Sequence, residues 1–253
     1  MIFKKQLPNL ITLLNLLSGT IAVYFAVKDA LVIAAFFVFL GIFFDFFDGL
    51  VARLLNVQGE FGKQLDSLAD VVTSGVVPGI VMLQLLLKSI HKQWENELSC
   101  EVGNWISFDE YHLHWLPFVG LVFTLAAAYR LAKFNIDERQ TDSFIGLPTP
   151  AATLVVLALP LILAYSNNEI ANSIIGNTWF LIGLTIVLSY LMNVEIPLFS
   201  LKFKEYSWKN NKVKYIFMML TLLLSVVLQF IAIPIVIVLY VLLSLFTKKK
   251  VSA

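Results

Sequence analysis

From Tyr215 to Phe246 the sequence reads YIFMMLTLLLSVVLQFIAIPIVIVLYVLLSLF, without a charged residue. As one helix, at about 1.5 Å per residue, this run extends well past the ~30 Å hydrocarbon core of a bilayer. Similar runs recur along the chain, and no water-soluble core hides them all. Of 253 residues, 59% are hydrophobic and 14% charged, against about 25% charged in a soluble domain. The pattern predicts an all-α polytopic transmembrane bundle of about eight spans. They are expected near 8–27, 30–55, 66–88, 116–134, 149–165, 178–196, 214–231 and 233–247. The last two divide the long run, with Pro234 at the turn because proline cannot continue the helical ladder. One long tilted helix plus a tail is the alternative.

The chain opens MIFKKQLPNLITLLNLLSGTIAVYFAV. Its basic start and long apolar run, without a small-residue cleavage site, read as a retained first span rather than a signal peptide. With an even number of spans both termini share a side. Placing that side in the cytoplasm puts Lys4, Lys5, Arg53, Lys63, Arg130, Lys133, Arg139 and the lysines from 202 onward inside, and only Lys28, Lys88 and Lys92 outside. A multi-pass protein of the cytoplasmic (inner) membrane is expected. Net charge is +1, and the basic residues sit in short loops, so nucleic acid is not an expected partner. One cysteine, Cys100, excludes an intrachain disulfide. The outer loop 89–115, with Trp94, Trp105, Trp115, His91, His112 and His114, reads as an interfacial aromatic belt.

Chemistry concentrates in DFFDGLVARLLNVQGEFGKQLDSLAD, from Asp45 to Asp70. On a helix, at about 100° per residue, Asp48, Gly49, Ala52 and Arg53 fall within about 80° of Asp45. Asp66 and Asp70 are four apart and share a face of the next span. A short cytoplasmic turn containing Gly59 and Gly62 brings the two acidic faces together. Four carboxylates near a bilayer are costly unless cations neutralise them, and oxygen-only donors suit Mg²⁺ or Mn²⁺. Gly49 and Ala52 leave room for a ligand, and Arg53 supplies a donor fork for phosphate. Together these describe a metal–diphosphate site facing the cytoplasm.

The same residues, Asp45, Asp48, Gly49, Ala52, Arg53, Gly62, Asp66 and Asp70, fit D-x2-D-G-x2-A-R-x8-G-x3-D-x3-D in full. This segment resembles the signature of the CDP-alcohol phosphotransferases. The resemblance implies a homodimeric membrane enzyme in which the four aspartates hold two metal ions. It implies that Asp70 is the general base on the acceptor hydroxyl, and that Gly49, Ala52, Arg53 and Gly62 line the cytidine diphosphate. It also implies a core over 1–165 within a single membrane domain, with 166–253 as additional transmembrane helices.

The flanking segments PNLITLLNLLSG, FGKQLDSLADVVTSGVVP, AYRLAKFN and FIGLPTPAA resemble those of the CDP-diacylglycerol–serine O-phosphatidyltransferase branch. That implies CDP-diacylglycerol as donor and L-serine as acceptor. Serine brings a carboxylate, so cations should stand near the acidic cluster. Arg130 and Lys133 are expected there, with Asn135 and Thr149 as further polar contacts. Asn9 and Thr12 are candidates for the nucleotide side. Glycerol phosphate or inositol phosphate as acceptor is the first alternative, since either also wants cations. An intramembrane prenyltransferase and a cation transporter are the others. A transporter calls for acids spread at mid-membrane depth.

Overall fold

The computed structural model describes residues 2–91, 115–137, 144–198 and 208–247. The outer-loop tryptophans and histidines numbered 94, 105, 112 and 114 lie outside them. The helices are α1 (Ile2–Val27), α2 (Leu31–Leu54), α3 (Glu60–Asp70), α4 (Val77–His91), α5 (Val122–Ile136), α6 (Thr149–Tyr165), α7 (Glu169–Ile175), α8 (Thr178–Asn193), α9 (Trp208–Leu228) and α10 (Ala232–Thr247). A π-helical segment, Val71–Val76, joins α3 to α4. The only strands among the described residues are β1 (Phe144–Ile145) and β2 (Pro197–Leu198), a two-residue antiparallel pairing.

Among the described residues, five helical stretches are long and apolar enough to cross a membrane by length and composition: 6–27, 31–54, 60–90, 116–136 and 211–245, the last of them broken at Gln229 into α9 and α10. A sixth arises if α7 and α8, bent by 73°, count as one span. The chain is thus all-helical with several apolar spans, as expected, though five or six stretches meet the length and hydropathy of a span where about eight are expected. The helix 149–165 falls short of that length, about 25 Å at 17 residues. It is apolar all round because it is enclosed: Val155 to Ile162 are all buried, against the α1–α2 and α4 core.

Two expectations need correction. The turn in the long C-terminal run falls at Gln229, which takes a left-handed φ of 50°, with a 3-10 turn over Gln229–Ile231. Pro234 instead sits in the first turn of α10, where its missing N–H has no helical partner to lose. The rings of Phe217 and Tyr240 lie 5.8 Å apart, so α9 and α10 fold back on each other and a single straight helix is ruled out. The third span begins at Glu60 rather than at 66, so Gly62 lies inside α3 and not in the turn. The turn itself uses Asn56 (φ 53°), with Gly59 capping α3.

Polar side chains close the helix ends that lipid would leave unsatisfied. Gln84 Nε2 donates to the carbonyls of Ala26 and Val27 at the end of α1, at 3.2 and 3.1 Å. Asn168 and Asn177 cap α7 and α8 through their side-chain oxygens. Gly146 turns the chain from β1 into α6 at φ 73°, and a side chain there would collide with the carbonyl of Met192 at 2.6 Å. That glycine lets Thr149 start α6 beside α5.

Candidate active site

The site forms where the N-terminal half of α1, the C-terminal half of α3 and the start of α6 meet the C-terminal halves of α2 and α5. Asp45 and Asp48 come from α2, Asp66 and Asp70 from α3. Oxygens of Asp45, Asp48 and Asp66 all lie within 4.8 Å of one another. Asp66 keeps one buried oxygen, Oδ1, without a hydrogen-bond partner. A buried carboxylate oxygen without a donor is costly, and a divalent cation satisfies it while offsetting the repulsion among the three acids. The donor set is therefore that of a hard-cation site.

Asp70, one turn beyond Asp66, stands outside this three-residue cluster. Its Oδ1 accepts from Asn15 Nδ2 at 3.2 Å. Asp48 is buried, and its Oδ2 accepts from the Thr12 hydroxyl at 2.6 Å. Thr12 is thus held against a carboxylate.

The small residues divide by what surrounds them. A Cβ placed on Gly49 meets no protein atom within 4 Å, so packing does not explain the missing side chain. A Cβ on Gly62 would come 3.3 Å from Asn9 Oδ1, so Gly62 lets α1 and α3 approach and puts Asn9 at the site's edge. Ala52 is half-buried. Arg53 is exposed and its Nε donates to the carbonyl of Gly49 at 2.9 Å. This ties the Arg53 guanidinium back to the backbone of Gly49, one turn earlier on α2.

Of the expected acceptor contacts, Arg130 is buried at 8% exposure, and its Nη1 donates to Thr149 Oγ1 at 2.9 Å. Its Nε has no partner, an unmet donor on a buried cation. Lys133 is paired with Glu195 at 2.9 Å. Asn135 is occupied in joining α5 to α3: its side chain bonds Ser67, and its carbonyl accepts from Lys63 Nζ at 2.7 Å. Arg130, Lys133, Ile145, Met192 and Asn193 line a small cleft beside the site.

A family model described as CDP-alcohol phosphatidyltransferase matches residues 5–247. The chain belongs to that family. Among curated relatives, a CDP-diacylglycerol--serine O-phosphatidyltransferase of Bacillus subtilis is 32% identical over 212 residues, covering 81% of this chain and 96% of the relative. A protein of the same name from Helicobacter pylori is 33% identical over 226 residues, 87% of this chain and 80% of its own. An archaetidylserine synthase of Methanothermobacter thermautotrophicus is 29% identical over 163 residues, 63% of this chain and 60% of its own.

As a CDP-alcohol phosphatidyltransferase, the chain is a phosphotransferase enzyme, and its apolar helices make it a multi-pass membrane protein. Sequence reasoning passed over Asn15 and Thr73. A buried polar residue in an apolar span was the available signal, and both stand in otherwise greasy stretches.

Proposed function

We propose that this enzyme transfers a phosphatidyl group from CDP-diacylglycerol to L-serine, giving phosphatidylserine and CMP. The observation that carries the reading is the Asp45–Asp48–Asp66 cluster beside the open face of Gly49 and Arg53. The names of the relatives supply the acceptor. The relatives named above include both phosphatidyl- and archaetidyl-transferring proteins, with serine in common.

In this reading Asp45, Asp48 and Asp66, with Asp70 at their edge, hold Mg²⁺ or Mn²⁺, two ions in the full site. A divalent cation there supplies electrophilic stabilisation of the diphosphate. Gly49, Ala52, Arg53 and Gly62 accommodate the cytidine diphosphate, with Arg53 on phosphate oxygens and Asn9 and Thr12 at the margin. Arg130, anchored by Thr149, presents Nε to the serine carboxylate, and Lys133, paired with Glu195, lines the cleft beside it as a further polar contact. Asp70 accepts the proton of the serine hydroxyl as the oxygen forms its bond to the phosphatidyl phosphorus. The bond from that phosphorus to the CMP oxygen breaks, and CMP leaves with the electron pair.

The positive-inside bias puts this end of the bundle, and both termini, on the cytoplasmic face of the inner membrane, with about eight crossings. The α9–α10 hairpin supports the even count. We read 1–165 as the catalytic core and 166–253 as added helices, and the working unit as a homodimer. The deciding experiment gives purified protein CDP-diacylglycerol, Mg²⁺ or Mn²⁺, and a panel of alcohols. Phosphatidylserine and CMP in equal amounts are expected. Reaction with glycerol phosphate or inositol phosphate but not serine overturns the acceptor assignment.

A further inference from the structure

We propose that Asn15 of α1 and Thr73 of the π-helical segment form a buried pair that positions the carboxylate of Asp70. This rests on the reading of Asp70 as the group that takes the acceptor proton. Asn15 is fully buried and Thr73 is 1% exposed. Polar groups this deep in apolar helices are costly unless bonded; here Thr73 bonds Asn15, and Asn15 bonds Asp70. Asn15 Nδ2 donates to Asp70 Oδ1 at 3.2 Å, and Thr73 Oγ1 donates to Asn15 Oδ1 at 2.8 Å.

The direction of this chain is forced. A carboxylate only accepts, so the amide nitrogen must face Asp70. The amide oxygen then faces Thr73, whose single hydroxyl hydrogen fills it. Turning the amide over sets two acceptors against each other. Asp70 Oδ1 is thereby held, and its other oxygen is left for the acceptor. Neither Asn15 nor Thr73 is placed to touch substrate, so each acts through Asp70.

The surrounding structure is built to hold the pair. A Cβ on Gly41 of α2 would lie 2.7 Å from Thr73 Cγ2 and 2.9 Å from Asn15 Oδ1, and one on Gly19 of α1 would overlap the Thr73 hydroxyl. Small residues on two helices therefore make the space. The π-helical register, which frees carbonyls from the regular ladder, is braced from two further helices. Thr153 Oγ1 donates to the carbonyl of Ser74 at 2.8 Å, and Thr124 Oγ1 to that of Gly75 at 3.0 Å. The segment carrying Thr73 is thus pinned immediately after Asp70.

The test contrasts two substitutions of one residue in the purified full-length enzyme. Thr73→Val keeps shape and loses the hydroxyl; Thr73→Ser keeps the hydroxyl and loses the methyl group. Positioning predicts that Thr73→Val lowers kcat roughly ten- to hundredfold, with KM for CDP-diacylglycerol unchanged, while Thr73→Ser recovers most turnover. A packing role alone predicts the reverse order, and that order overturns the proposal. Should Thr73→Val not fold, Asn15→Leu carries the test through the same kcat loss at unchanged donor KM, with folding checked by thermal unfolding. Where both fold, the double variant should be no slower than Asn15→Leu alone, because Thr73 acts through Asn15; multiplying losses count against the chain of contacts. Near-normal turnover by Asp70→Asn defeats the proton-acceptor reading itself. An inactive Asp70→Asn beside normal Thr73→Val and Asn15→Leu defeats only the positioning pair.

Discussion

The hydroxyl of Thr12 on α1 donates to Oδ2 of Asp48 on α2 at 2.6 Å. It also lies 3.1 Å from the carbonyl of Pro8, but the charged acceptor at the shorter distance takes the hydrogen. The contact fixes the orientation of one carboxylate in the acidic cluster. Thr12→Val removes the donor while keeping the shape, so Asp48 loses its support but not its packing. The Mg²⁺ concentration for half-maximal activity should rise about tenfold, the usual cost of losing an outer partner of a metal ligand. Titration of activity with Mg²⁺ checks this; an unchanged midpoint removes Thr12 from the metal site.

Gly49 offers a separation of folding from function. An added Cβ meets nothing in the protein, and Gly→Ala inside a helix gains about 0.5–1 kcal/mol. Gly49→Ala should therefore leave the unfolding temperature equal or higher. Its methyl group would occupy the space read as the diphosphate's, so the KM for CDP-diacylglycerol should rise at least about tenfold. Parallel thermal unfolding and kinetics decide it. Normal kinetics would mean that the open face of α2 serves lipid and not the nucleotide.

The positions of the four aspartates along the chain were readable from helical periodicity, because carboxylates in apolar spans have few reasons to be there. The apolar runs marked most of the spans, down to the bounds of α6, but not the start of α3 or the short α7. What periodicity does not carry is the break at Gln229, since a left-handed glutamine has no local signature and the proline nearby was the stronger cue. Nor does it carry the π-helical segment: VVTSGV fits a regular helix equally well, and its altered register depends on hydroxyls from α5 and α6. The partners of Asn135 were also out of reach. Its contacts with Ser67 and Lys63 span far-apart segments that only the packed bundle joins.

Asn135 is consequently predicted to matter for cohesion. Its side chain and Ser67 exchange hydrogen bonds at 2.8 and 3.1 Å between α5 and α3. Asn135→Ala removes these and should cost about 1 kcal/mol, read as a lower unfolding temperature in detergent. The serine KM should stay within about twofold, since a neutral hydrogen bond to substrate is not lost. A large rise in serine KM at unchanged stability would restore Asn135 to the acceptor site.

Arg130 should behave in the opposite way. Its Nη1 is tied to Thr149 and its Nε is unmet, so the planar fork presents a donor in a fixed direction. Lysine carries the charge but not the fork. Arg130→Lys should raise the serine KM about tenfold or more with the CDP-diacylglycerol KM unchanged. If the donor KM moves instead, Arg130 belongs to the nucleotide half.

The four aspartates should separate into two behaviours. Asp45, Asp48 and Asp66 crowd their oxygens within 4.8 Å, with Asp66 Oδ1 unmet, whereas Asp70 is engaged by Asn15. Removing charge from any of the first three weakens the hold on a cation. Asp45→Asn, Asp48→Asn and Asp66→Asn should each raise the metal requirement and weaken metal-dependent CMP binding together. Asp70→Asn should abolish turnover, by about a hundredfold or more for a lost general base, yet keep measurable CMP binding in the presence of Mg²⁺. A chelator should reproduce the first pattern in the unaltered enzyme, with activity returning on adding Mg²⁺ or Mn²⁺. Isothermal titration of CMP beside turnover measurements distinguishes the two classes. If all four variants lose CMP binding alike, Asp70 is a cation ligand of the same standing as the rest, and its role as proton acceptor needs another group.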